Sequence, residues 1–128
     1  MTGNEEESLD ADGYALIGAA FDVYNNLGAG FLEEVYQEAM EMELTARKTP
    51  FISKPRLFVF YKDHQLQKYY EADLFVSSRI VVELKAVRTL APEHHAQLLN
   101  ELRATRQQVG YLINFGAVPR LEWIRRVV

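Results

Sequence analysis

Three side chains in the middle of the sequence have the types and spacing for metal or phosphate chemistry: Asp73, Glu83 and Lys85, arranged D-x9-E-x-K. They lie in EADLFVSSRIVVELK, Glu71 to Lys85, which reads as two short strands joined by a tight turn at Ser77 and Ser78. Ala72, Leu74 and Val76 alternate with Glu71, Asp73 and Phe75. Ile80, Val82 and Leu84 alternate with Val81, Glu83 and Lys85, giving the period of a strand with an apolar set on one face. A turn around Ser78 places Asp73 beside Glu83 and Glu71 beside Lys85. Adjacent carboxylates repel unless a cation lies between them, and hard divalent cations favour such oxygens. Asp73 and Glu83 could therefore hold Mg²⁺ or Mn²⁺, with the Leu84 carbonyl as a further oxygen. Lys85 would orient or help deprotonate a water and stabilise charge on a phosphate. The plainer alternative is a solvated face crossed by a Glu71–Lys85 salt bridge.

Two further groups stand at helical spacing. Gly30 to Tyr36 spells G-x-x-E-x-x-Y, and Glu33 and Tyr36, three apart, share a helix face. Tyr36 falls in an apolar stripe and reads as core, while Glu33 sits at the stripe's edge, able to face a site or to complement the helix dipole. Gln97 and Glu101, four apart, share a face of a later helix whose Leu98, Leu99 and Leu102 point coreward. Gln97 could orient a water or a phosphate there. His94 and His95 diverge on a helix and do not suit a shared metal, so they read as surface or supporting residues.

Several elements must hold these groups in place. Ser8 or Asp10 can cap a helix with Tyr14, Ile17, Phe21, Tyr24 and Leu27 at helical spacing, ended by Gly28. A second helix runs from about Phe31 to Arg47, with Leu32, Val35, Tyr36, Ala39, Met40 and Leu44 as its stripe. Pro50 and Pro55 bracket an extended connector, Arg56 to Tyr61 reads as a strand, and a turn leads to another from about Leu66. Pro92 opens a helix to about Gln107, followed by strands at Val109–Phe115 and Leu121–Val127. Helices, strands, a helix and two more strands predict an α/β (α+β) domain with one central mixed sheet flanked by helices. The helix before Val109 suits a crossover between parallel strands.

At 128 residues, with 48% hydrophobic and 25% charged residues, the chain reads as one soluble domain. The acidic residues 1–9 look like a flexible lead-in to a domain spanning 10–128. No apolar run suits a membrane span, and the absence of cysteine excludes disulfides and thiolate chemistry, making a cytoplasmic location the default. The net charge of -4 argues against a wide electrostatic grip on nucleic acid, although Arg103, Arg106, Arg120, Arg125 and Arg126 crowd the last third and leave room for a local basic groove.

Taken together, GAGFLEEVYQEA, EADLFV, VVELKAV, HHAQLLNEL and VGYLINFG resemble the GxxExxY protein family, from about Tyr14 to Val128. That family is grouped with the PD-(D/E)XK nuclease-like fold, so the resemblance implies a restriction-endonuclease-like core and a Mg²⁺- or Mn²⁺-dependent nuclease. It implies metal ligands at Glu33, Asp73 and Glu83, and catalytic roles for Asp73, Glu83, Lys85 and Gln97. Exonuclease-like branches carry Q-x-x-x-Y, whose tyrosine is replaced here by Glu101. The implied partner is DNA or RNA. The rival expectation is a non-catalytic module that keeps the fold and binds nucleic acid or protein, and exposed strand edges or aromatic patches would suit a homodimer.

Overall fold

Apolar runs such as IVVEL and GYLINF need cover on both faces, and the chain supplies it with helices on opposite sides of one sheet. The computed structural model describes residues 3–128. Its elements are α1 (Gly3–Leu27), α2 (Glu33–Ala46), β1 (Phe51–Ser53), β2 (Arg56–Tyr61), β3 (His64–Glu71), β4 (Leu74–Val76), β5 (Ile80–Lys85), α3 (Pro92–Thr105), β6 (Val109–Asn114) and β7 (Glu122–Val127). A five-stranded sheet has the order β1-β4-β5-β6-β7, with β5 and β6 parallel and the other neighbours antiparallel. α3 is the crossover between the parallel pair. The mixed sheet flanked by helices is the architecture expected from the order of elements.

One face of the sheet (Leu74, Val76, Ile80, Val82, Val109, Ile113) packs with buried residues of α1 and α2, including Leu16, Tyr36 and Met40. The other face (Val81, Leu112) packs with Leu98 and Leu102 of α3 and Leu57 of β2. α3 sits close because Gly110 lies beneath it: a Cβ at Gly110 would come within 2.9 Å of Leu98 Cδ1.

The structure corrects four expectations. The helix begins at Gly3, so the acidic stretch expected as a flexible lead-in is helical from there on, while Met1 and Thr2 lie outside the described residues. Leu9 is buried, and Arg79 donates to Ser8 and Asp12, which ties this first part of α1 to the turn before β5. The buried stripe of α1 is made of Leu16, Ile17, Ala19, Ala20 and Val23, whereas Tyr14 is 84% exposed and Phe21 40%. Small residues allow the close approach that aromatic rings would prevent.

The single strand expected over Glu71–Val76 is broken at Ala72 and Asp73. Ala72 N–H turns to Pro55 O and Asp73 N–H to Val82 O, so the chain passes from one sheet to the other. Ala72 consequently joins the α3-side core, not the face shared by Leu74 and Val76. Glu71 pairs with Arg56 in the separate β2–β3 hairpin, so the Glu71–Lys85 pairing does not form. The turn itself is as expected, with Ser77 and Ser78 both at positive φ and Val76 opposite Ile80.

Tyr36 fixes the entrance to α2. Fully buried, it stacks on Phe115 at 4.6 Å, its hydroxyl donates to Gly28 O at 2.5 Å, and it accepts from Phe31 N–H at 3.2 Å. The last residue of G-x-x-E-x-x-Y is thus a core anchor that sets where Glu33 begins the helix. Tyr36→Phe leaves both loop groups without their partner and should cost about 1 to 3 kcal/mol. Urea denaturation at constant m-value measures it, and an unchanged midpoint would show that the hydroxyl anchors nothing.

Candidate functional site

Asp73 stands at the break between β3 and β4, and its groups reach in several directions. Its carboxylate accepts Leu84 N–H at 2.6 Å through Oδ2 and the Lys54 ammonium at 2.8 Å through Oδ1. Its carbonyl accepts Lys54 N–H at 3.0 Å and the Gln37 amide at 2.8 Å. Gln37 also donates to Glu41 at 2.8 Å, and Ser53 Oγ lies 2.8 Å from the same Glu41 oxygen. Asp73 is therefore held by α2, by the β1–β2 connector and by β5.

Two recesses flank it. The outer one is a cleft of about 450 Å³ lined by Asp73, Lys54, Leu84 and an acidic face of α2 that includes Glu33, Gln37 and Glu41. Glu33 is exposed in the first turn of α2 and faces this cleft. The inner recess is small, about 10 Å³, close to the room one water takes, and it is lined by Glu83, Lys85, His94, Gln97, Leu98, Glu101 and Leu112. Strand alternation turns Glu83 and Lys85 toward α3, and the four-residue spacing of Gln97 and Glu101 turns both toward β5. Of the residues singled out from the sequence, Glu83, Lys85 and Gln97 share the inner recess. Asp73 and Glu33 line the outer cleft. The field of Asp73 still reaches both Glu83 and Glu101.

The electrostatics of the inner recess are set by crowding. Burial, with the fields of Glu101 and Asp73, pushes the Glu83 carboxyl up to about 8, against the opposing pull of Lys85 and the Asp73 backbone. Burial also raises Glu101, opposed by Lys85 and reinforced by Asp73. In the outer cleft, burial works to lower the Lys54 ammonium, but its bond to Asp73 and the fields of Asp73, Glu71 and Glu83 leave it raised. Two buried oxygens, Glu83 Oε1 and Glu101 Oε2, have no hydrogen-bond partner. His94 supports the recess from the start of α3, where its Nδ1 accepts Ala91 N–H at 2.9 Å.

Among the described residues, no group of three or more His, Cys, Asp or Glu is gathered tightly enough to hold an ion. Mg²⁺, however, keeps several waters and is commonly bound by one or two carboxylates together with substrate phosphates. Unpartnered, hard carboxylate oxygens beside an ammonium fit that chemistry, with Glu83 as the central donor.

Lys54, Gln37 and Glu41 were not singled out from the sequence, and Glu101 was noted for sharing a helix face with Gln97 and for replacing a tyrosine. A signal for two of them was present: Glu33, Gln37 and Glu41 recur every four residues and therefore line one helix face. Lys54 had none, because it is brought to Asp73 only by the pairing of β1 with β4.

The family model of the PD-(D/E)XK nuclease superfamily matches residues 10–127. The fold is similar to the crystal structure of SSO0001, with a TM-score of 0.54 and 19% sequence identity over 73% of this chain and 48% of that one. The chain thus spans about half the length of that protein, and at this identity the likeness concerns the fold alone. No curated protein matches the chain.

The raised Glu83 carboxyl sets a pH dependence. Its ordinary value is 4.5 and its folded value about 8, so between these the folded chain keeps a proton that the unfolded chain releases. Stability from this group is complete below the lower value and is lost as pH rises toward the upper one. Without divalent metal, wild type should be more resistant to urea at about pH 5 than at about pH 8, and Glu83→Gln should flatten most of that difference. Equal wild-type midpoints at the two pH values would contradict it.

Proposed function

The chain belongs to the PD-(D/E)XK nuclease superfamily, and from that membership we propose that it is a metal-dependent phosphodiesterase of the GxxExxY kind acting on nucleic acid. The observation that carries this is the half-buried Glu83 carboxylate, whose buried Oε1 has no partner, sharing a recess with Lys85 and Gln97 and lying within the field of Asp73. PD-(D/E)XK nucleases usually use divalent metals. Glu83 and Asp73 would hold Mg²⁺ or Mn²⁺, with Glu33 approaching from across the outer cleft. The bound ion would supply Lewis-acid polarisation of a phosphate and a more acidic water. Lys85 places an ammonium where charge grows on the phosphoryl oxygens, and the exposed Gln97 amide can orient the attacking water. Leu84 N–H fixes one Asp73 oxygen, so the carboxylate is oriented before any substrate arrives.

A nucleic-acid partner is supported by the β2–β3 hairpin, which is rooted at this site. It starts two residues after Lys54 and ends two residues before Asp73. Every residue of β3 is exposed. Tyr61, Tyr69 and Tyr70 stand on the hairpin among Arg56, Lys62 and Lys68, with Arg56 over the Tyr69 ring at 5.0 Å. Aromatic faces interleaved with cations suit stacked bases and their phosphates. No helix among the described residues is long and apolar enough to cross a membrane.

One observation favours the second reading, a binding module without turnover: the Lys54 ammonium already neutralises Asp73 without a metal. The two readings separate in a cleavage assay on labelled DNA and RNA with Mn²⁺. Wild type should cut, and Glu83→Ala and Lys85→Ala should each lose the activity; cutting that survives in both variants would place the chemistry elsewhere, and no cutting by wild type would favour the module. The hairpin is tested by binding in Ca²⁺, which limits turnover. Tyr61→Ala, which removes a ring 61% exposed, should weaken affinity for nucleic acid by about 1 to 3 kcal/mol, the range of one stacking contact, while leaving the melting temperature nearly unchanged. An unaltered affinity would exclude the hairpin as the contact.

A further inference from the structure

We infer that Glu101 forms, with Glu83, a paired-carboxylate clamp for a divalent cation on the α3 side of β5, separate from the cleft that Glu33 lines. This rests on the metal-dependent reading above and adds to it a ligand that stands outside the D-x9-E-x-K and G-x-x-E-x-x-Y motifs.

Glu101 is only 9% exposed, in the middle of α3 between the core residues Leu98 and Leu102. An apolar side chain there would extend the core without an electrostatic cost, whereas a buried carboxylate needs a partner. No such partner is present for Oε2, which is buried without a hydrogen bond, and Glu83 Oε1 on the facing strand is in the same state. Both carboxylates line the same small recess, whose volume of about 10 Å³ suits one ion or one water and little more.

The protein's own side-chain donors leave these two oxygens unsatisfied. Lys85 and Gln97 line the recess, but neither donates to these two atoms. A hard divalent cation, for which carboxylate oxygens are preferred ligands, would meet both unpaired oxygens together. In the Q-x-x-x-Y pattern this position is a tyrosine, whose neutral phenol is a far poorer ligand for Mg²⁺. Glu101 brings a formal charge to the recess that tyrosine would not.

The test is direct Mn²⁺ binding, read from the free-ion electron paramagnetic resonance signal, for wild type, Glu83→Gln, Glu101→Gln and Glu101→Tyr. Loss of a direct ligand should weaken binding by at least about tenfold, as much as loss of a supporting contact does, in both Glu101 variants and in Glu83→Gln. Melting in metal-free buffer controls for folding: Glu101→Gln should melt at or above the wild-type temperature, because a neutral amide replaces an unpaired buried carboxylate. Glu101→Gln binding Mn²⁺ within about twofold of wild type, while Glu83→Gln loses it, would overturn this inference and leave the metal-dependent reading standing. A wild type that binds no Mn²⁺ would overturn both.

Discussion

The hydrogen bonds of Asp73 tie three parts of this fold together at one point. Its N–H reaches Val82 O, its carbonyl takes the Gln37 amide and Lys54 N–H, and its carboxylate takes Leu84 N–H and the Lys54 ammonium. One residue thus connects α2, the β1–β2 connector and β5 at the point where the chain leaves the hairpin and enters the main sheet. The same carboxylate adds its charge to the neighbourhood of Glu83 and Glu101. Structure and electrostatics therefore meet at one atom pair, and a change at Asp73 acts on both. A loss of function in Asp73→Ala would not by itself identify a ligand, whereas Glu83, which makes no comparable set of structural bonds, gives a cleaner separation.

Much of the sheet was legible because its strands obey local rules. Val109–Asn114 is apolar on both faces and is central. The β4–β5 turn was readable from alternation on either side of two serines. The crossover helix announced itself through Pro92 and the leucines at 98 and 102. What escaped was non-local. Alternation alone carries a strand straight through Glu71–Val76, and nothing in six residues reveals that Ala72 N–H prefers Pro55 O. The Glu71–Lys85 pair failed for that reason. The start of α1 was missed because a run of glutamates resembles a solvated tail unless Arg79, far along the chain, is known to meet Ser8 and Asp12.

The candidate site divides along the same line. Glu33, Gln37 and Glu41 have a four-residue period that any helix reading would place on one face, and that face lines the cleft beside Asp73. Glu101 was visible as a departure from a pattern, but its burial, and therefore its energetic cost, is a property of the packed α3–β5 contact. A surface glutamate and a core glutamate look identical in one dimension.

The two sides of the candidate site also differ in the charges they present. The outer cleft presents Glu33, Glu34, Glu38 and Glu41 with Lys54 as its only lining cation, so it concentrates metal ions and repels phosphates. On the other side, Arg56 and Lys62 stand on the hairpin, and Arg106 packs over Phe60 at 4.9 Å while donating to Lys62 O. Arg126 contacts His95 at 3.3 Å beside the start of α3. On the proposed reading, a polyanion would approach along the hairpin cations and metal ions along the acidic face of α2. On that reading, Asp73 and Glu83 are the carboxylates through which a metal would link acidic ligands and a phosphate. An overall charge of -4 is then no obstacle to nucleic-acid binding, because what a phosphate experiences within a Debye length of about 8 to 10 Å is the local face and not the sum.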